Sequence, residues 1–158
     1  MTTKSDFTEE EWRTVLQGPT SAGLLVVASD PGGSVRESFS MAKAYAEARQ
    51  QHGDSELLDT IVSTKPEVDR TRPHSPEELK ERNLQHLRDA VALLEQKATP
   101  EEVDQYKQFI VNLAERVAEA RKEGFLGLSG ERVSPEERAA VEQIAEALGT
   151  EAPQQKPE

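Results

Sequence analysis

The side chains best placed to do chemistry in this chain are carboxylates. Asp30 sits in an Asp-Pro-Gly-Gly turn shortly before Ser34 and Glu37. Hard cations such as Ca²⁺ or Mg²⁺ are held by several oxygens gathered in one tight loop, so Asp30 and Glu37 form the strongest candidate for a cation site. Each also has a structural use, Asp30 in stabilising the turn and Glu37 in closing a capping box with Ser34. The remaining acid clusters, Glu9 to Glu11, Glu77 with Glu78, Glu101 with Glu102 and Glu136 with Glu137, fall in first helical turns, where the positive end of the helix dipole accounts for them. His86 precedes Asp89 on the border of an apolar stripe. No Glu-x-x-His or His-Glu-x-x-His completes a metal set, and a partly buried, hydrogen-bonded histidine is the stronger reading.

Catalytic phrases are missing. There is no Gly-x-Ser-x-Gly, no Gly-x-x-x-x-Gly-Lys-Ser/Thr and no Gly-x-Gly-x-x-Gly, and with no cysteine there is neither a thiolate nucleophile nor a cysteine-ligated metal. The run Gly124 to Gly130 comes closest to a ligand loop, but it follows a helix and carries Phe125, Leu126 and Leu128. Those side chains either plug the core between the last two helices or stay outside as an adhesive patch for a protein partner or hydrophobic ligand. The expectation is a non-catalytic protein.

Charge and composition narrow the partners. Thirty acidic against nineteen basic residues give a net charge of −11, a field that repels phosphate backbones, so nucleic acid is not expected. The uncharged stretch 17–29 is too short and interrupted to span a bilayer, and the first residues lack the basic start and apolar run of a signal peptide. A soluble, cytoplasmic protein without membrane insertion is expected. At 158 residues, the chain suits one domain.

The elements that must position these residues are helices. Ser75-Pro76-Glu77-Glu78, Thr99-Pro100-Glu101-Glu102 and Ser134-Pro135-Glu136-Glu137 each open an amphipathic run with a hydroxyl cap, a proline that needs no donor and acids suited to the dipole. Thr8 with Glu11 and Ser34 with Glu37 repeat the spacing without proline, and Phe7 is placed to staple onto Trp12. Gly53, Gly124 and Gly149 follow periodic segments as stops. Helices are predicted at 8–17, 19–29, 35–52, 55–63, 76–97, 100–123 and 135–148, with no proline interrupting a periodic segment. Val103, Tyr106, Ile110, Leu113, Val117 and Ala120 draw one stripe along the sixth. The run Ala22 to Ala28 is apolar on every side. Periodicity cannot separate helix from strand there, and helix is chosen because a lone strand would have no pairing partner.

The expected architecture is thus an all-α, compact bundle of six or seven helices over 7–149, with 19–29 at its centre. Residues 1–6 are expected as a flexible start, 64–74 as a surface loop dividing two halves of shared plan, and 150–158 as a disordered tail. A homodimer is compatible with the long stripe of the sixth helix.

Val133-Ser134-Pro135-Glu136-Glu137 followed by Ile144-Ala145-Glu146-Ala147-Leu148-Gly149, with Asp30 to Glu37 as a distorted first copy, resembles the TerB-like, tellurite-resistance-associated helical domains. The likeness covers about a quarter of the chain; Ser129 stands where that family has its second turn aspartate. It implies an all-helical fold, a stress or metal-response setting, and divalent-cation binding by turn acids. Carried onto this chain, that ligand set is Asp30, Glu37, Glu131 and Glu137. The leading functional reading is an interaction module for a protein or hydrophobic ligand, with no cofactor; the alternative is a Ca²⁺ or Mg²⁺ binder. Calorimetric titration separates them: the cation reading requires saturable binding tighter than about 100 µM that Asp30→Ala removes, and the interaction reading expects no such heat.

Overall fold

The stripe on the longest amphipathic run organises the bundle. In the computed structural model, which describes residues 2–29, 34–50, 55–67, 74–123 and 135–150, Tyr106, Ile110, Leu113 and Val117 of this helix are all but inaccessible to solvent. The element order is a short 3₁₀ turn (Lys4–Asp6), then α1 (Glu9–Ser29), α2 (Ser34–Gln50), α3 (Glu56–Ser63), α4 (Pro76–Lys97), α5 (Pro100–Glu123) and α6 (Pro135–Leu148). Among the described residues the fold is an all-α bundle of six helices with no strand. The helix choice for Ala22 to Ala28 therefore holds, inside α1. No described helix is long and apolar enough to cross a membrane. α1 lies along α4 and α5, and α6 closes against all three; α2 rests chiefly on α5 and α3. Three helices lie on either side of the connection after α3, and the main packing runs between these halves.

Seven expected helices become six because 8–17 and 19–29 fuse through Pro19, which contradicts the expectation that no proline interrupts a periodic segment. An interior proline removes one N–H and deprives the carbonyl four residues earlier of its donor. That carbonyl belongs to Val15, and the Tyr106 hydroxyl donates to it at 2.5 Å. Gly18 makes the approach possible, since a Cβ at this position would collide with the Tyr106 hydroxyl oxygen. Pro19 and its neighbours Gly18 and Thr20 are all buried, so no water is needed to satisfy the break.

At Thr8, Ser75 and Thr99 the caps form as the hydroxyl-acid phrases predict, while the Ser34 and Glu37 side chains lie outside the described residues. The Glu11 N–H donates to Thr8 Oγ1 (3.1 Å) while the Thr8 N–H donates to Glu11 Oε1 (2.9 Å). Thr99 and Glu102 make the same reciprocal pair at 3.2 and 2.9 Å. Ser75 Oγ accepts from Glu78 N–H, but the Glu78 carboxylate reaches one residue further, to the His74 N–H at 2.6 Å. At the far end of α6, Gly149 has φ +76°; its N–H donates to Glu146 O and that of Thr150 to Ala145 O, the paired bonds of a Schellman stop. Gly53, Gly124 and Ser134 lie outside the described residues.

Residues 2–6, expected as a flexible start, have specific partners. Thr2 is buried; its N–H and hydroxyl donate to the two oxygens of Glu102, at 3.1 and 2.7 Å. Lys97 Nζ donates to Asp6 O (2.8 Å), pairs with Glu11 (2.9 Å) and sits 5.5 Å from the Phe7 ring centre. The Phe7 and Trp12 rings meet at 5.6 Å, the expected staple. The acid of one capping box thus also anchors the beginning of the chain onto the α4–α5 junction. Burial opposes ionisation of Glu102, but the Thr99 N–H and the Thr2 hydroxyl and N–H outweigh it and hold the carboxyl below its ordinary value; the Thr8 N–H and Lys97 do the same for Glu11. A carboxyl lowered on folding adds stability above its unfolded pKa and loses it as pH falls through the folded one. The thermal midpoint of the native chain should therefore drop as pH falls from about 5 to about 3, with less of a drop in the Glu11→Gln/Glu102→Gln pair. Equal slopes would contradict this anchoring.

Candidate functional site

α2 takes its position from α5 and α3, and this leaves it only a narrow meeting with α1. That meeting is at Gly23, where a Cβ would collide with the Met41 sulfur. Beside it the chain leaves a concavity of about 430 Å³ among α1, α2, α3 and the segment after α3. Leu24 of α1, Met41, Ala42 and Tyr45 of α2, and Val62 of α3 give it apolar walls, with Thr20 and Pro66 completing them. Leu24 and Met41 are half-buried and Ala42 is exposed, so apolar surface remains available there. The volume lies within the roughly 300–1,000 Å³ of small-molecule sites.

Polar groups along this groove are few and mostly engaged. The Thr20 hydroxyl lies 2.5 Å from Glu67 O and 3.1 Å from Gln17 O, so its single proton serves backbone carbonyls. Burial raises the Tyr45 phenol well above its ordinary value, and the ring stays neutral. Among the described lining residues only Arg49 is charged, and it is exposed in the last turn of α2. The described lining is thus mainly apolar, with Arg49 its one charged side chain.

A second concavity, about 500 Å³, lies between α2 and α5. The two are separated by an aromatic wall: Tyr45 lines the first, Phe109 the second, and their rings meet edge to face at 5.4 Å. Here the lining is polar, with Asn112, Glu115 and Glu119 beside an Arg116 that is ion-paired to Glu47. Burial, with the neighbouring Glu119 charge, raises the Glu115 carboxyl above its ordinary value. This groove places like charges together, with its own cation already held by Glu47, whereas the first offers continuous apolar surface.

The residues singled out in the sequence are not gathered by the described part of the molecule. Asp30, Glu131, Phe125, Leu126 and Leu128 lie outside the described residues. Glu37 falls within α2, but its side chain is likewise outside them. Glu137 is buried in the first turn of α6. No group of three or more His, Cys, Asp or Glu able to hold a metal ion occurs among the described residues. Asp89, considered as a partner for His86, accepts from Gln85 Nε2 at 2.8 Å.

Sequence reasoning missed the groove, although one signal pointed to it. A helix segment apolar on every side has to be covered on every side. In α1, Leu25 and Val26 are covered, but Leu24 and Val27 are only partly so. Arg49 gave no signal, because a cation in a last helical turn is what the dipole favours anyway. Comparison with protein-family models, curated proteins and solved structures finds no match.

Proposed function

We propose that this protein is a non-catalytic helical module that holds a small hydrophobic ligand in the groove formed by α1, α2 and α3. The observation that carries the reading is the coincidence of a concavity of ligand size with walls from Leu24, Met41, Ala42, Tyr45 and Val62, with Arg49 the one charged residue among the described lining. Apolar area removed from water is worth roughly 25 cal/mol per Å², so such walls favour an apolar occupant over water. A small ligand suits the site better than a protein partner, whose standard interface takes roughly 800 Å² from each side. Met41 supports the assignment, since an unbranched thioether adapts to irregular apolar shapes. The stress or metal-response setting proposed with it comes from the TerB-like resemblance alone.

The chain contains two methionines, Met1 and Met41, which gives a direct readout. With ¹³C-methyl-labelled methionine, the Met41 signal should shift saturably as decan-1-ol is added while the Met1 signal stays in place. Ala42→Trp, at an exposed helix position that lines the groove, should abolish the shift without lowering the helical circular dichroism. A Met41 signal that moves in the native protein neither with decan-1-ol nor with the carboxylate or amine of the same chain length would refute the ligand-holding reading.

A further inference from the structure

The chemistry of the groove goes one step further, resting on the ligand-holding reading above. An alkyl body accounts for the apolar walls, and the exposed Arg49 guanidinium stands at the same groove. Among the described residues no ion pair or hydrogen bond engages it, whereas the guanidinium of Arg82 is held by Glu78 and that of Arg116 by Glu47. The remaining described lining residues carry no charge, so no carboxylate among them competes for it. We propose that the ligand is a free long-chain carboxylate, its alkyl chain against Leu24, Met41 and Val62 and its carboxylate paired with Arg49.

Several physical arguments converge on that class. A guanidinium presents two parallel N–H donors that match the two oxygens of a carboxylate, an arrangement stronger and more directional than a neutral hydrogen bond. A neutral alcohol would leave that fork unmatched, and an alkylammonium would be repelled by it. The net charge of −11 does not overrule this. At physiological ionic strength, charges beyond about 8 Å are largely screened, while a contact pair is not.

The test uses the full chain with Met41 as reporter at neutral pH, and compares decanoate, decan-1-ol and decylamine below their aggregation concentrations. Decanoate should bind at least about tenfold tighter than decan-1-ol, with decylamine weakest. Arg49→Gln should bring decanoate to the level of decan-1-ol and leave the alcohol unchanged; Arg49→Lys should recover only part of the difference, since it restores charge without the fork. If decanoate and decan-1-ol bind equally to the native protein, or if Arg49→Gln weakens both alike, the carboxylate assignment is overturned while the ligand-holding reading stands. If none of the three moves Met41, both fall. A sedimentation measurement showing a dimer whose dissociation frees the Met41 signal would assign the groove to a second copy of the chain and overturn the proposal.

Discussion

One hydrogen bond between helices, from the Tyr106 hydroxyl to the Val15 carbonyl, lets α1 exist as a single rod. Pro19 takes away the donor that Val15 would have had inside its own helix, at a cost of about 3 kcal/mol in an ordinary helix interior. The loss is met from α5. Gly18 clears the space, Tyr106 fills it, and the ring is itself part of the core stripe. Burial raises the Tyr106 phenol well above its ordinary value, which favours the protonated form that makes the bond. The bond also fixes register, because a tyrosine one turn away along α5 would not face the uncapped carbonyl.

From that fixed point the groove follows. α1 is committed along its length to α4 and α5, and α2 is laid on α5 and α3, with Gly23 against Met41 as a close contact between α1 and α2. The faces turned away from that contact cannot both be filled by the helices already placed. What remains is a concavity whose walls inherit the apolar character of a core segment, while the one cation of its described lining comes from the dipole-favoured end of a helix. The charge of the molecule lies mostly elsewhere. Glu11, Glu78 and Glu102 serve as caps and anchors at helix starts, which is an architectural use of acids rather than a reactive one.

Much of this was legible in the residue order, where the information was local. The hydroxyl-acid phrases at Thr8, Ser75 and Thr99 are read off neighbours three positions apart, and all three caps form. The stripes of α4, α5 and α6 depend only on helical period. Pro19 was misread because the donor that lets a helix pass through it lies on residue 106, 91 positions away, and no local pattern announces it. Thr2 anchoring to Glu102 is hidden for the same reason, at a separation of 100. The groove is harder still. It is defined by where helices fail to touch, and the clue in the sequence was that Leu24 sits in a run with more apolar surface than one core face can use.

A double-mutant cycle on Tyr106 and Pro19, read by urea unfolding, tests the account at its base. Tyr106→Phe alone strands the buried Val15 carbonyl and should cost about 1–3 kcal/mol. In the Pro19→Ala background position 19 regains the N–H that an unbroken helix would direct at Val15, so the same Tyr106→Phe change should cost less than half as much. Costs that agree within about 0.5 kcal/mol in the two backgrounds would mean the sites are independent, and would contradict the claim that α5 repairs the break in α1.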